Sequence, residues 1–284
     1  PAVGYQALQS VMSPGFKFNT TDPGRGYQVT FHFGLLQPEE LLAIQRLWPR
    51  IFALARRCSA PNWCYVHKMV ESWAYPGRSG RSITTEINDL ISLFAIQMLR
   101  DVVSITQNQV GTLHWASRIA SDLNADISIP HNHDFEILYP QREFSENWRE
   151  IAANQRQAVH ELADGWATHS LSEVVEQIIR YEAEAQAAEL RYPRWTPTLC
   201  ADIAERISSP VQWAQAMIEQ NCSADLIEPF LRKACLVSEP GWQEAAFICL
   251  DRPNLRWATI SVVLTSSNAP ESVVDRTLSN LEGY

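Results

Sequence analysis

Residues 148–166 read WREIAANQRQAVHELADGW, a stretch that begins and ends on tryptophan. Between the two tryptophans, apolar side chains recur at spacings close to the 3.6-residue period of an α-helix, at Ile151, Ala152, Val159 and Leu162. Charged and amide side chains fill most of the other positions. The pattern therefore predicts an amphipathic helix that buries one face.

The spacing of tryptophan extends this pattern along the chain. One series follows at intervals of 47 residues, at Trp148, Trp195 and Trp242. A second series follows at 47 and then 44 residues, each member preceding an alanine, at Trp166, Trp213 and Trp257. A fixed period in the forties is typical of stacked helical hairpins. We therefore predict an α-solenoid with a period of about 47 residues, in which the six tryptophans are structural repeat landmarks packed in the core.

The predicted fold class is mainly α, with four parts along the chain. Residues 1–36 form a small extended, β-containing segment, because the side chains of 27–33 alternate between apolar and polar. Residues 37–122 are helical. Residues 123–144 interrupt the helical pattern and are interpreted as one irregular insertion. Residues 145–284 hold the tandem helical-hairpin repeats.

Two long helices are predicted in the part that precedes the insertion. Gln37-Pro38-Glu39-Glu40 opens the first, because proline suits the first turn and acidic residues suit the positive end of the helix dipole. The second runs over about 82–105 on a stripe of apolar residues. Both would bury an apolar face.

Composition and charge exclude several classes of protein. Hydrophobic residues make up 46% of the 284-residue chain, so wholesale disorder is excluded. The net charge is -9, and the acidic excess lies in residues 71–284, which predicts no nucleic-acid partner. No apolar run approaches about 18 residues, which predicts no membrane partner. Six cysteines without a CxxC pair predict buried thiols in a reducing cytoplasm.

Motifs for catalysis are missing from the sequence. It contains no P-loop, no nucleophile elbow and no HExxH zinc motif, so we expect no enzyme and no cofactor.

Residues 131–134 (His-Asn-His-Asp) form the one cluster of candidate metal ligands in the sequence. In an extended segment His131 and His133 point to the same side and could share an ion, with Asp126 or His114 as a third ligand. A lone HxH is more often a solvated loop, so we expect no metal. A metal-dependent enzyme with its site in the 123–144 insertion remains the alternative function.

The tryptophan-alanine hairpins resemble HEAT- or TPR-like α-solenoid repeats over residues 148–284. The series Trp148-Arg149-Glu150, Ala158, Leu162-Ala163, Trp166 and Trp195 resembles the helical sensor arms that follow the NTPase module in large bacterial STAND proteins. This resemblance implies recognition of a ligand protein, often from a phage, as part of antiviral defence. It also implies an NTPase and an effector elsewhere in a larger multidomain chain, and it assigns no role to a single residue.

The leading functional hypothesis is a non-catalytic helical-repeat module of the cytoplasm that recognises a protein or peptide ligand, as the sensor or scaffold part of a larger protein. Its acidic surface would favour basic partners and make their association sensitive to salt.

Overall fold

A computed structural model describes most of the chain: residues 8, 12, 16–21, 28–33, 37–57, 63–76, 85–141, 147–190, 193–237, 239–267 and 269–282. Within these ranges the fold is mainly α, as the sequence predicts, with thirteen helices. The chain folds into two compact units. One comprises Pro1–Asn132 and Glu184–Leu190, and the other comprises His133–Ala183 and Arg191–Tyr284.

The first unit contains a short hairpin and four helices. Strands β1 (Phe16–Thr21) and β2 (Gln28–Phe33) pair antiparallel, with Phe16 opposite Phe33. The helices are α1 (Pro38–Ala55), α2 (Trp63–Ala74), α3 (Thr85–Ile105) and α4 (Val110–Asp122). Pro38 begins α1. The backbone N–H of Gln37 donates a hydrogen bond to Glu40 Oε2 at 2.9 Å, which satisfies one of the free N–H groups at the helix start.

The core of the first unit lies where α2, α3 and α4 pack together. Its largest fully buried side chains include Trp73 of α2 and Trp115 of α4. The ring of Trp73 meets that of Phe94 edge-on at 5.0 Å. The indole of Trp48 in α1 donates to Asp101 Oδ2 at 2.7 Å, which ties α1 to α3.

The second unit contains the remaining helices. They are α5 (His133–Leu138), α6 (Trp148–Trp166), α7 (Leu171–Ala187), α8 (Thr196–Ala204), α9 (Pro210–Glu219), α10 (Ala224–Val237), α11 (Glu239–Leu250), α12 (Pro253–Thr265) and α13 (Glu271–Glu282). The last turn of α7, from Glu184, belongs to the first unit. Helices two apart in sequence pack on one another: α6 on α8, α8 on α10 and α10 on α12, and likewise α9 on α11 and α11 on α13.

The structure does not confirm one helical hairpin per 47 residues. The first pair of tryptophans bounds one helix, α6, whereas the later pairs fall at two helices each: Trp195 and Trp213 at α8 and α9, and Trp242 and Trp257 at α11 and α12. Helices α8, α10 and α12 begin at Thr196, Ala224 and Pro253, much closer together than 47 residues. Between Trp195 and Trp242 the chain forms three complete helices, α8, α9 and α10, rather than the two of one hairpin.

The predicted irregular insertion is only partly irregular. Its described residues are 123–141, and they lack helix or strand from Ala125 to Asn132. From His133 to Leu138 they form α5, where we predicted no helix. Phe135 and Leu138 are fully buried at helical spacing, and the Phe135 ring packs edge-on against Tyr181 at 5.2 Å. Burial of these two side chains favours the helix over an exposed loop.

Among the described residues, no helix combines the length and the apolar character that crossing a membrane would require.

Two helical glycines, one in each unit, differ in how closely other backbone approaches them. A Cβ added at Gly111 of α4 would lie 2.4 Å from the carbonyl oxygen of Glu184, whereas a Cβ at Gly165 of α6 meets nothing within 4 Å. We expect Gly111→Ala to lower the free energy of unfolding by about 1–3 kcal/mol because backbone must move.

The same exchange at Gly165 serves as the control. We expect Gly165→Ala to raise the free energy of unfolding by roughly 0.5–1 kcal/mol, because alanine is the better helix former. Urea unfolding of both variants measures the difference. Equal effects of the two substitutions would contradict the close approach at Gly111.

Candidate functional site

The six tryptophans have different environments. Trp166, Trp213 and Trp242 are buried, and Trp195 is half-buried. Trp148 and Trp257 are 64% and 62% exposed. The prediction that all six pack in the core is therefore wrong for these two, because each lies on an exposed face of its helix. A large exposed aromatic side chain is a feature that binding surfaces share.

An exposed apolar surface lies on α10 and α12. Four side chains there are each more than half exposed, namely Leu236, Val237, Trp257 and Leu264. We call these four residues the α10–α12 surface. Trp257 and Leu264 lie seven residues apart on α12 and therefore share one face of that helix. Leu236 and Val237 end α10.

Polar contacts fix the register of α10 against α12. Arg232 Nη1 donates to Thr265 Oγ1 at 2.7 Å, and the thiol of Cys235 lies 2.8 Å from Ser266 Oγ. These contacts place the C-terminal ends of the two helices side by side. Leu236, next to Cys235, therefore lies at the same end of the helix pair as Leu264. The exposed apolar side chains of this surface come from both helices.

A charged cluster lies where α6, α8 and α10 meet. Helix α6 supplies side chains at three successive turns, α8 and the residues that follow it supply three more, and α10 supplies one. The seven residues are Arg156, His160, Asp164, Asp202, Glu205, Arg206 and Lys233. We call them the Asp202 network.

The Asp202 carboxylate at the centre of this network is fully buried. Arg156 donates to its Oδ1 at 2.7 Å. Its Oδ2 lies 3.6 Å from Nδ1 of His160 and accepts no hydrogen bond from any described residue. A buried carboxylate oxygen without a donor destabilises the fold, so Oδ2 is the open position of the network.

Arg206 and Lys233 form ion pairs with the two other acidic side chains of the network, Asp164 and Glu205. Arg206 Nε contacts Asp164 Oδ1 at 2.5 Å, and Lys233 Nζ contacts Glu205 Oε1 at 2.5 Å. The hydrogen bond from Arg206 holds the pKa of Asp164 below its ordinary value, and that from Lys233 does the same for Glu205. Both acids are therefore ionised at neutral pH.

Three residues of the network have the donor atoms that a metal ion requires. His160, Asp202 and Glu205 each offer one ligand atom, and these atoms lie within 4.8 Å of one another. No other group of three such residues occurs in the part of the chain that the structure describes. The group is not visible as a motif in the sequence, because His160 lies more than 40 residues from Asp202 and Glu205. Within each segment the acidic and histidine side chains lie three or four residues apart, as in His160 and Asp164 or Asp202 and Glu205. Such spacings are ordinary on a helix and do not by themselves indicate a metal site.

His131 and His133 are both exposed, the first just before α5 and the second at its start. Neither belongs to a three-ligand group among the described residues. Their two suggested partners differ in environment, since Asp126 is exposed and His114 is buried. The geometry thus gives the HxH segment no third ligand from the described part of the chain.

A second polar cluster links α5, α7 and α8. Glu182 Oε1 accepts hydrogen bonds from Tyr139 at 2.6 Å and from Arg194 Nε at 2.8 Å, and it also accepts one from Thr196. Burial raises the pKa of the Tyr139 hydroxyl, and the nearby Glu182 charge raises it further. Because the Glu182 oxygen already has these donors, we interpret this cluster as a structural junction.

The cysteine thiols of the second unit are buried. Burial raises the pKa of Cys222 and of Cys249 to about 12 and also raises that of Cys200. Thiols in such surroundings stay protonated and are poor nucleophiles at neutral pH. The five cysteines in the described ranges are free thiols, and Cys58 lies outside those ranges.

No protein-family model, no curated protein and no solved structure matches this chain.

Proposed function

We propose that the second unit is an α-solenoid-like helical-repeat module that recognises a protein or peptide ligand and performs no catalysis itself. The packing of helices two apart supports the repeat architecture, since solenoid hairpins stack on their neighbours in this way. The helical hairpins of the second unit differ in length, unlike those of a strict repeat. The resemblance of the tryptophan series to the sensor arms of STAND proteins supports the same role.

One observation carries the proposal, namely the exposure of Trp257 and Leu264 on one face of α12, with Leu264 at the helix end that lies beside the end of α10. Large apolar side chains grouped at a surface favour binding of another apolar surface, because both are removed from water together. Tryptophan is also enriched among the residues that dominate binding energy at interfaces.

Charge defines the partner further. The chain carries a net charge of -9, so a ligand with basic residues flanking an apolar anchor fits it best. Such an association weakens as the salt concentration rises, because salt screens exposed charges. We therefore propose a peptide segment with an aromatic or aliphatic anchor and neighbouring lysine or arginine residues.

A displayed random-peptide library tests the proposal directly. We expect enriched peptides of this composition, and we expect the double substitution Trp257→Ala with Leu264→Ala to weaken their binding by at least about tenfold. Trp148→Ala is the matched control, because Trp148 is an equally exposed tryptophan on a different helix. Peptide binding that survives the double substitution, or that Trp148→Ala weakens equally, would refute this location.

We further propose, on the STAND resemblance alone, that the chain is the sensor or scaffold part of a larger cytoplasmic protein in antiviral defence. An immunoblot of the endogenous protein tests this point. A band far above 32.2 kDa is the expected result, and a band at that mass would contradict it.

A further inference from the structure

We propose that His160, Asp202 and Glu205 bind one divalent transition-metal ion between α6 and the C-terminal end of α8. The proposal goes beyond ligand recognition by the α10–α12 surface and does not depend on it, since the two sites share no residue.

The three residues differ in how far their present partners leave a ligand atom for a metal. Asp202 Oδ2 is buried without a hydrogen-bond donor among the described residues, while Arg156 holds Oδ1. Glu205 pairs with Lys233 through Oε1 at 2.5 Å, whereas its Oε2 lies 3.8 Å from Arg206. His160 Nδ1 faces the open Asp202 oxygen at 3.6 Å.

The unsatisfied oxygen of Asp202 separates this cluster from an ordinary surface group of acids. A fully buried carboxylate needs compensation on both oxygens, and within the described ranges Arg156 supplies it on one only. A cation at Oδ2 would compensate this oxygen, and the ligand atoms of His160 and Glu205 lie within 4.8 Å of that of Asp202.

The distances require a small adjustment. Metal–ligand bonds of about 2.0–2.2 Å hold two ligand atoms no more than about 4.4 Å apart. The present atoms lie within 4.8 Å, so a movement of less than about 1 Å suffices. The His160 and Glu205 side chains are 44% and 31% exposed and can make it, while Asp202 is held in place by Arg156.

Arg206 is the main competitor for the site. Its Nη2 lies 3.0 Å from both ring nitrogens of His160. When Nδ1 binds the ion, the ring proton resides on Nε2, so Arg206 must release the imidazole. It keeps Asp164 and the backbone oxygen of Asp202 as acceptors, both at 2.5 Å, so its charge remains compensated.

The donor set and the local charge indicate which ions bind and how tightly. One imidazole nitrogen with two carboxylate oxygens suits Zn²⁺, Co²⁺ or Mn²⁺ better than Ca²⁺ or Mg²⁺, which favour oxygen ligands alone. The three carboxylates of the Asp202 network are balanced by Arg156, Arg206 and Lys233. Because the ion meets no net negative field, we expect affinity in the micromolar range.

Titration of the metal-free chain with Zn²⁺, by calorimetry, and with Co²⁺, by visible absorption, tests the proposal. We expect one equivalent of either ion per chain and a rise in Tm on adding Zn²⁺. His160→Gln and Glu205→Gln should each weaken binding at least about tenfold. The double substitution His131→Gln with His133→Gln is the matched control and should leave the affinity unchanged.

Three results would overturn the proposal: no saturable binding up to about 1 mM Zn²⁺, wild-type affinity in both ligand variants, or loss of binding in the His131/His133 control. Thermal melting of the metal-free variants shows whether each is folded. Asp202→Asn, which keeps the shape of the side chain, provides a third ligand variant and is likewise expected to weaken binding.

Discussion

Trp242→Ala is expected to lower the free energy of unfolding of the second unit by about 3–5 kcal/mol. Trp242 is 1% exposed within α11, and α9, α10, α12 and α13 all pack against that helix. Its removal takes a large apolar surface out of the core and leaves a cavity that the surrounding helices fill only in part. Urea unfolding followed by circular dichroism measures the loss.

Trp148→Ala is the matched control for this prediction. Trp148 belongs to the same 47-residue series, but it is 64% exposed at the start of α6. We expect its replacement to change the free energy of unfolding by no more than about 0.5 kcal/mol. Similar losses in the two variants would contradict this difference in burial and would support equivalent roles for the two positions in a 47-residue repeat.

His67→Phe is expected to stabilise the first unit and to make it less sensitive to acid. The His67 side chain is 3% exposed in α2, and its ring stacks on Trp115 with centroids 4.1 Å apart. Neither ring nitrogen has a hydrogen-bond partner among the described residues. A phenylalanine ring keeps the stacking and removes the unsatisfied polar atoms, so we expect a gain of about 1–3 kcal/mol at pH 7.

The acid sensitivity follows from the pKa of His67. Burial and, to a smaller extent, the nearby Arg118 charge together lower it from 6.5 to about 3. Between these two values the unfolded chain binds a proton that the folded chain does not. Stability is therefore lost as the pH falls below about 6.5, by about 1.4 kcal/mol per pH unit. The variant lacks this loss, so its advantage should grow by roughly 2.3 kcal/mol from about pH 6.5 to about pH 4.5.

Hydrogen exchange of peptides from α2 and α4, with urea unfolding at several pH values, measures this effect in the first unit. Replacement of the exposed His169 by glutamine is the control, because its ring is hydrated in both the folded and the unfolded chain. An advantage of His67→Phe that stays constant between about pH 6.5 and about pH 4.5 would contradict a neutral buried His67.

The helices were largely predictable from the sequence. The start of α1 at Pro38, the long α3 ending at Ile105 and the apolar stripe of α6 all follow from proline placement and 3.6-residue periodicity. These signals are local, because a helix is stabilised by contacts between residues three or four apart. Helix α5 was missed, because its six residues are too few to show a period.

The candidate sites were less predictable. The sequence favoured His131 and His133, which are close together in the chain, over His160 and Asp202, which lie on different helices. It also assigned one role to six tryptophans, of which two are exposed. Motif reasoning detects ligands that are close in sequence, whereas this group forms only after α6 packs on α8.

The amino-acid sequence by itself determines the acidic balance of charge. It also indicates a mainly α protein and several helix starts, because helix formation depends on neighbours within about one turn. Packing of the helices is what buries Trp242 while Trp148 stays exposed. Packing also places His67 against Trp115 and leaves one Asp202 oxygen without a donor in the described part of the chain. Burial, hydrogen-bond satisfaction and ligand grouping depend on side chains that are tens of residues away and become neighbours only in the folded molecule.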